Sequence, residues 1–250
     1  MRKYKLLIIL MLVIMLLFIN KKGSAYGFGV KKNHNHTTPD IGKYEPILKS
    51  NNAFYVGDDS EKKVYLTFDW GYENGYTNLI LDVLKEKNVK ATFFITGHYL
   101  TSATDIVKRM ASDGHVIGNH SYKHKDITKL NAQEIQNEIE SLNVKYKELI
   151  GEEMSSFYRP PAGSFDDRSL KVVASMGYTT LFWSIAYEDW NNKKIDVKSA
   201  VMENIHNGAI ILMHAVSSEN AAALGELIDA LTNDGYQITS TYDLTKKRLD

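Results

Sequence analysis

Short apolar runs that alternate with amphipathic helical patterns constrain this sequence more than any other feature. Seven runs have the length and the β-branched or aromatic content of strands. They are Val64–Phe68, Ala91–Ile95, His115–Gly118, Phe157–Tyr158, Tyr178–Phe182, Ala209–Met213 and Gln237–Thr239. Six segments between them keep the three- and four-residue apolar spacing of helices. The alternation predicts an α/β fold with a parallel sheet, either closed as a TIM-like barrel or open and doubly wound.

Polar side chains follow the carboxyl ends of five of these runs. They are Asp69 after the first, His120 and His124 after the third, Arg159 after the fourth, Asp189 past the fifth and His214 after the sixth. Catalytic residues of α/β barrels lie at this edge and come from several strands. The sequence therefore predicts one site at the carboxyl edge of the sheet.

The individual residue types suggest roles, each with a simpler alternative. His120 and His124 are four apart, which suits two ligands of one metal ion but also an exposed pair at a helix start. Arg159 precedes two prolines, and such a stiff turn suits either a guanidinium held against a carboxylate or a surface salt bridge. His214 emerges from an apolar run, so it is either a hydrogen-bonded core residue or a general acid whose charge Asp189 supports.

The N-terminus has the features of an export signal. A basic head, Met1–Lys5, precedes an unbroken apolar run of fourteen residues, Leu6–Ile19. A helix that spans a bilayer needs about 20 apolar residues, so the run fits a signal peptide over residues 1–25 with cleavage after Ala25. An uncleaved anchor is the alternative, and it would be the only contact with a membrane. Either outcome places the rest of the chain outside the cytoplasm, and the absence of cysteine agrees with this.

The rest of the chain is mildly acidic and long enough for one domain. Beyond Ala25 there are 25 basic and 30 acidic residues, with no basic stripe to neutralise phosphates, so a nucleic-acid role is not expected. Residues 26–52 form an unpatterned N-terminal extension, and its His34 and His36 are expected to be solvated rather than bound to metal. The globular domain is expected to begin near Ala53, with the alternating pattern over residues 63–244, and to be monomeric.

Five ordered motifs resemble the polysaccharide deacetylases of the NodB homology type. They are "TFDWG" (67–71), "HSYKH" (120–124), "RPPAG" (159–163), "EDW" (188–190) and "LMH" (212–214). Within that family, "FDWGYENGYT", "ATFFITGHYL" and "LMHAVSSENAAAL" look like the branch of delta-lactam-biosynthetic de-N-acetylases, which act on N-acetylmuramic acid of spore cortex peptidoglycan. The resemblance implies a distorted TIM-like (β/α)7 barrel over residues 63–244.

The resemblance also implies a role for each motif residue. Asp69 matches the general base, Arg159 the residue that orients it, His214 the catalytic acid and Asp189 its neighbour. His120 and His124 match two ligands of a divalent metal ion, zinc or similar. We also expect substrate contacts from residues at the same strand ends, namely Trp70, Tyr72, Pro161, Ala162, Trp190 and Leu212.

Trp70 is a departure from the family pattern. Most members have an aspartate at this position, and it is the third metal ligand. A tryptophan offers no oxygen, so metal affinity is expected to be weak unless Asp69 or Glu73 helps. We expect the indole to provide a face for the sugar ring instead.

The sequence thus predicts a hydrolase that de-N-acetylates peptidoglycan, with muramic acid lacking peptide as the substrate sugar and the glycan strand as the partner. Three alternatives remain open at this point. The first is a deacetylase for N-acetylglucosamine, and the second is a wall-binding module that has lost its metal. The third is a glycoside hydrolase that uses Asp69 and Glu73, which would leave the three histidines at the strand ends without a role.

Overall fold

The structure, a computed structural model, describes residues 24–32, 34–189, 195–214 and 218–246. Residues 1–23, which carry most of the predicted signal segment, lie outside these ranges. Within the ranges, no helix combines the length and the apolar character needed to cross a bilayer.

The described residues form eleven strands. They are β1 (Tyr26–Gly27), β2 (Ala53–Phe54), β3 (Lys63–Trp70), β4 (Thr92–Ile95), β5 (Val116–Asn119), β6 (Phe157–Tyr158), β7 (Ser164–Phe165), β8 (Thr179–Leu181), β9 (Ile185–Ala186), β10 (Ala209–His214) and β11 (Gln237–Ile238). Each of the seven predicted strands overlaps one of these, so those predictions are confirmed. The short strands β1, β2, β7 and β9 are additional, because runs of two residues carry no periodicity that a sequence could reveal.

The same ranges form nine α-helices. They are α1 (Glu45–Ser50), α2 (Thr77–Glu86), α3 (Gly97–Ser102), α4 (Thr104–Ser112), α5 (Ala132–Ile150), α6 (Asp167–Ser175), α7 (Val197–Met202), α8 (Ser218–Asn233) and α9 (Asp243–Lys246). Short 3-10 turns occupy Gly42–Tyr44, Ile127–Lys129 and Pro161–Gly163. The six predicted helices correspond to α2, α4, α5, α6, α7 and α8.

The strands form a curled parallel sheet with helices around it. The spatial order is β2-β8-β6-β5-β4-β3-β10-β9, and β11 also pairs with β3. Every pairing between strands in this sheet is parallel, whereas β1 and β7 form a separate antiparallel pair. This is the distorted (β/α) barrel that the sequence predicts, and the open doubly wound alternative is excluded.

The two faces of β3 have different surroundings. Leu66, Phe68 and Trp70 belong to the main hydrophobic cluster, which packs the sheet against α2, α4, α7 and α8. Tyr65 belongs to a smaller cluster on the other face. Successive side chains of a strand point to opposite faces, so Asp69 shares the face of Tyr65 and Trp70 does not.

The described residues between 24 and 52 are folded onto the barrel. Tyr26 of β1 pairs with Phe165 of β7. The backbone N–H of Phe28 donates to the carbonyl of Gly163 (2.8 Å), and its ring stacks on Phe182 at 4.4 Å. Gly163 has a φ of +62°, which favours glycine here. The folded part of the chain thus begins well before Ala53, and the prediction of a boundary there is wrong.

Helix α5 is firmly fixed beside the carboxyl edge of the sheet. Its capping box joins Asn131 and Glu134, whose side chains each accept a hydrogen bond from the other's backbone N–H, at 3.0 and 2.8 Å. It ends at Gly151, whose φ is +88°. Ile139 and Leu142 on its inner face are fully buried, so the position of this helix is determined by packing as well as by its cap.

Candidate active site

The carboxyl ends of the strands surround a cleft of about 970 Å³. Seven of the predicted site residues line it, namely Asp69, Tyr72, His120, His124, Ala162, Leu212 and His214. They come from β3, β10 and the segments after β3, β5 and β6, which are far apart in the sequence. Four of the six polar strand-end residues, Asp69, His120, His124 and His214, therefore lie around one cleft.

Asp69 lies at the end of β3 and is held by Arg159. The guanidinium Nη1 donates to Asp69 Oδ1 at 2.8 Å, and the other two nitrogens donate to the carbonyls of Leu181 and Phe182. Burial alone would raise the pKa of Asp69. The positive charge of Arg159, with further contributions from His120 and His214, outweighs the effect of burial, so the pKa of Asp69 is lowered. Asp69 is therefore a carboxylate at neutral pH.

His120 and His124 lie on the other side of this carboxylate. His120 Nδ1 donates to the carbonyl of Arg159 (2.9 Å), so Nε2 carries the lone pair and lies 3.7 Å from Asp69 Oδ2. The ring centroids of the two histidines are 4.9 Å apart. Burial lowers the pKa of His120 to about 4 and also lowers that of His124, so both rings are neutral, the form that binds metal.

The donor set around these imidazoles is small. Within the described ranges, no group of three or more His, Cys, Asp or Glu side chains is arranged to hold a metal ion. Two neutral imidazoles with a carboxylate nearby suit a cation such as zinc, which accepts nitrogen and oxygen ligands, but they form an incomplete site.

His214 is held by Asp189. Its Nδ1 donates to Asp189 Oδ1 and its backbone N–H to Asp189 Oδ2, both at 2.7 Å. Asn220 also donates to Asp189 Oδ2 and in turn accepts from the hydroxyl of Tyr187. Burial lowers the pKa of His214, but the hydrogen bond and the charge of Asp189 more than offset this, so the pKa is raised. The imidazole therefore holds its second proton more firmly than a free histidine does.

Trp70 does not reach the cleft, and the prediction that it contacts the sugar is wrong. The residue is 1% exposed. Its Nε1 donates to the hydroxyl of Thr77 (2.9 Å), and its ring meets Phe93 edge-on at 4.7 Å. The physical reason is the alternation of side chains along β3, which directs Trp70 away from Asp69.

Glu73 is also engaged elsewhere. Its Oε2 accepts from the hydroxyls of Tyr99 and Thr77, and its Oε1 accepts from the backbone N–H of Gly75. It does not line the cleft, so the expectation that it assists a metal ion is wrong. Trp70, Thr77, Tyr99 and Glu73 form one hydrogen-bonded network behind the catalytic face.

The other predicted substrate contacts have different outcomes. Tyr72 is 55% exposed at the edge of the cleft, and Ala162 and Leu212 line it. Pro161 is buried and does not line the cleft. Trp190 lies outside the described residues. Contact with substrate stays a prediction for Tyr72, Ala162 and Leu212.

The structure adds residues that the sequence does not single out. Phe28, His98, Lys123 and Trp183 all line the cleft. Lys123 lies inside the "HSYKH" motif, so its position was available as a signal. Phe28 had none, because it lies in a segment without periodicity and reaches the cleft only through tertiary packing.

Comparisons with known proteins agree with this geometry. The family described as polysaccharide deacetylase matches residues 56–181. The chain is 44% identical to the peptidoglycan-N-acetylmuramic acid deacetylase PdaA of Bacillus subtilis over 223 residues, which are 87% of this chain and 84% of PdaA. A peptidoglycan-N-acetylglucosamine deacetylase of Bacillus cereus is 33% identical over 222 residues, 84% of this chain and 79% of that one.

The solved structure of Bacillus subtilis PdaA, a family 4 carbohydrate esterase, has a similar fold. It superposes with a TM-score of 0.86 at 40% identity, covering 90% of this chain and 98% of its own. The chain therefore belongs to the polysaccharide deacetylase family and is a hydrolase that removes acetyl groups from N-acetylated amino sugars.

Proposed function

We propose that the protein removes the acetyl group from N-acetylmuramic acid of peptidoglycan, in glycan strands whose muramic acids lack peptide. One observation supports the proposed reaction most directly. A carboxylate held by an arginine, Asp69, and an imidazole held by a carboxylate, His214, line the same cleft. The similarity to PdaA supports the choice of substrate.

Asp69 acts as the general base in this proposal. Arg159 occupies Oδ1, and Oδ2 accepts a proton from a water molecule as its oxygen attacks the acetyl carbon. The arginine fixes the direction of the carboxylate and keeps it ionised. Asp69 is thus ionised and oriented before the substrate binds.

His214 acts as the general acid. Asp189 accepts from Nδ1, which leaves the proton on Nε2 for the cleft. That proton moves to the sugar nitrogen as the C–N bond breaks, and the products are acetate and a free amine. Asp189 stabilises the charged imidazole and sets its orientation, so we assign it a supporting role.

His120 and His124 are the proposed ligands of a divalent cation, zinc or similar. When bound, such an ion polarises the acetyl carbonyl and stabilises the negative charge that develops on its oxygen. The hydrogen bond from His120 Nδ1 to Arg159 fixes the ring with Nε2 available as a ligand atom. Because this proposal assigns two imidazoles as ligands, we expect weaker binding than at a site with three protein ligands.

Lys123 favours muramic acid over glucosamine. Among the described residues it is the one Lys or Arg that lines the cleft, and none of the ion pairs within the described part of the chain includes its ammonium. Muramic acid carries a lactyl carboxylate on the carbon next to the acetamide, and glucosamine carries none. A lysine beside the two proposed metal ligands can therefore interact with the group that distinguishes the two sugars.

The lactyl group also accounts for the proposed fate of the product. Deacetylation frees an amine next to the lactyl carboxyl of the same sugar, so a six-membered lactam can close within one residue. Closure within one molecule is far easier than a reaction between two. We therefore propose that the product leads to the muramic δ-lactam of spore cortex.

The proposed site of action is outside the cytoplasm, at the wall or the cortex. The similarity to wall-modifying enzymes supports it. N-terminal sequencing of extracellular protein should give a chain that begins near Tyr26, whereas full-length protein found only in membranes would indicate an uncleaved anchor.

The substrate is tested with cortex-type glycan whose muramic acids lack peptide. We expect acetate release and muramic acid with a free amine, identified by mass spectrometry. Lys123→Met should raise KM for this glycan about three- to tenfold and leave hydrolysis of N-acetylglucosamine oligomers unchanged. Lys129→Met, at an exposed position on the same segment, is the matched control.

Two other outcomes would decide against the proposal. Glucosamine as the freed amine would make the protein an N-acetylglucosamine deacetylase, the activity named for the Bacillus cereus relative. Release of no acetate from either glycan, with retained glycan binding, would indicate a wall-binding module.

A further inference from the structure

The segment after β5 has an uncommon backbone conformation. Ser121 and His124 have φ values of +70° and +54°, in the left-handed region that only a few per cent of residues other than glycine adopt. This turn brings His124 back beside His120. A strained conformation persists only where its surroundings hold it, so contacts from neighbouring residues must hold residues 120–125 in this conformation.

Glu138 of α5 supplies four of the contacts to this segment. Its Oε2 accepts from the hydroxyl of Ser121 (3.0 Å) and from the backbone N–H of Lys123 (2.7 Å). Its own backbone carbonyl accepts from the N–H of Tyr122 (3.1 Å). Lys125 Nζ lies 3.4 Å from Oε1. Glu138 therefore contacts four of the five residues that follow His120.

The carboxylate is buried and its position is fixed. Glu138 is 6% exposed, between the buried residues Ile135 and Ile139 of the same helix. Asn119, at the end of β5, adds a second link to α5, since its side chain donates to the carbonyl of Ile139 and accepts from the N–H of Ser121. Because the helix is fixed by its cap and its core face, it can act as a rigid support.

We propose that Glu138 is a positioning residue that holds His120 and His124 in the arrangement needed to bind a metal ion. The inference rests on the proposed role of the two histidines. Glu138 touches neither imidazole, so it acts through the backbone of residues 121–125. Residues that orient metal ligands commonly change metal affinity or activity about 10- to 100-fold when replaced.

Two substitutions of Glu138 separate hydrogen bonding from packing. Glu138→Gln keeps a carbonyl oxygen that can accept both hydrogen bonds now made by Oε2, whereas Glu138→Met fills similar space and accepts neither. Titration of the metal-free proteins with Zn²⁺ is the primary measurement. We expect Glu138→Met to weaken Zn²⁺ binding about tenfold or more and Glu138→Gln to stay within about threefold of the original.

Glu140→Met is the matched control, since Glu140 lies on the exposed side of the same helix. It should leave Zn²⁺ affinity unchanged. A folded Glu138→Met protein that binds Zn²⁺ as tightly as the original would overturn the proposal. So would a weakened Glu138→Gln protein with affinity equal to that of Glu138→Met, because hydrogen bonding would then not be the cause. An original protein that binds no Zn²⁺ would also refute it.

A second variant covers the case in which Glu138→Met does not fold. Ser121→Ala removes one of the two donors to Oε2 and should weaken Zn²⁺ binding about threefold or more, and unchanged affinity would overturn the proposal. Acetate release is measured in parallel. Normal Zn²⁺ binding without acetate release would refute the proposed function and leave the inference about Glu138 intact.

Discussion

The hydrogen bond between Asp189 and His214 should control the alkaline limit of catalysis. The carboxylate side chain is 1% exposed and accepts from His214 Nδ1 at 2.7 Å. A hydrogen bond to a charged group contributes about 1.5–3 kcal/mol, and one pKa unit corresponds to about 1.36 kcal/mol. Asp189→Asn removes the charge while keeping the size of the side chain, so the pKa of His214 should fall by about one to two units.

The direction of the pH effect follows from the role proposed for His214. An acid must be protonated, so kcat/KM falls as the pH rises through the pKa of His214. In the Asp189→Asn variant this decline should begin about one to two pH units lower. At a pH above both pKa values, the loss from protonation alone is then about 10- to 100-fold, and misorientation of the ring adds to it.

The assay is acetate release from peptidoglycan glycan between pH 5 and pH 10, with melting temperatures to show that the variant is folded. Asp196→Asn is the control, because Asp196 caps α7 and asparagine caps helices equally well. An alkaline decline at the same pH in Asp189→Asn and in the original protein would refute the assignment of His214 as an acid supported by Asp189.

Further predictions concern three other residues. Asp69→Asn should lower kcat about 100-fold, and a near-normal rate of acetate release would exclude Asp69 as the base. Trp70→Asp should lower the free energy of unfolding by about 3–5 kcal/mol without tightening Zn²⁺ binding, and tighter binding would contradict the buried position of Trp70. Burial lowers the pKa of His120 to about 4, so the stability it contributes is present above pH 6.5 and is lost as the pH falls toward 4. The loss should reach about 3 kcal/mol in urea unfolding, and His120→Asn should show a weaker pH dependence.

The sheet and most of the site could be predicted because both depend on local patterns. Apolar runs such as Ala209–Met213 mark the strands, and the residue after each run, such as His214, must lie at the carboxyl edge. Parallel strands bring those edges together, so Asp69 and His120 could be expected to meet without knowledge of any distance.

The predictions fail where the outcome depends on the direction of a side chain or on a contact between residues far apart in the sequence. Trp70 follows Asp69 in the sequence, and adjacency suggested a shared site, but strand alternation places the two on opposite faces. Glu138 looks like an ordinary charged helix residue, because nothing in its sequence neighbourhood indicates that Ser121 and Lys123 donate to it. Such contacts form only when the whole barrel is assembled.

The pairing of β1 with β7 has a consequence for folding. Tyr26 and Phe165 lie more than half the length of the chain apart in sequence, and closing so long a loop is slow because its entropy must be lost before any contact compensates. Phe28, which lines the cleft, can dock only after Phe182 is in place. During refolding we therefore expect far-UV signals of the sheet to recover before activity does. The N-terminal segment of the described chain would then be the last to pack against the site.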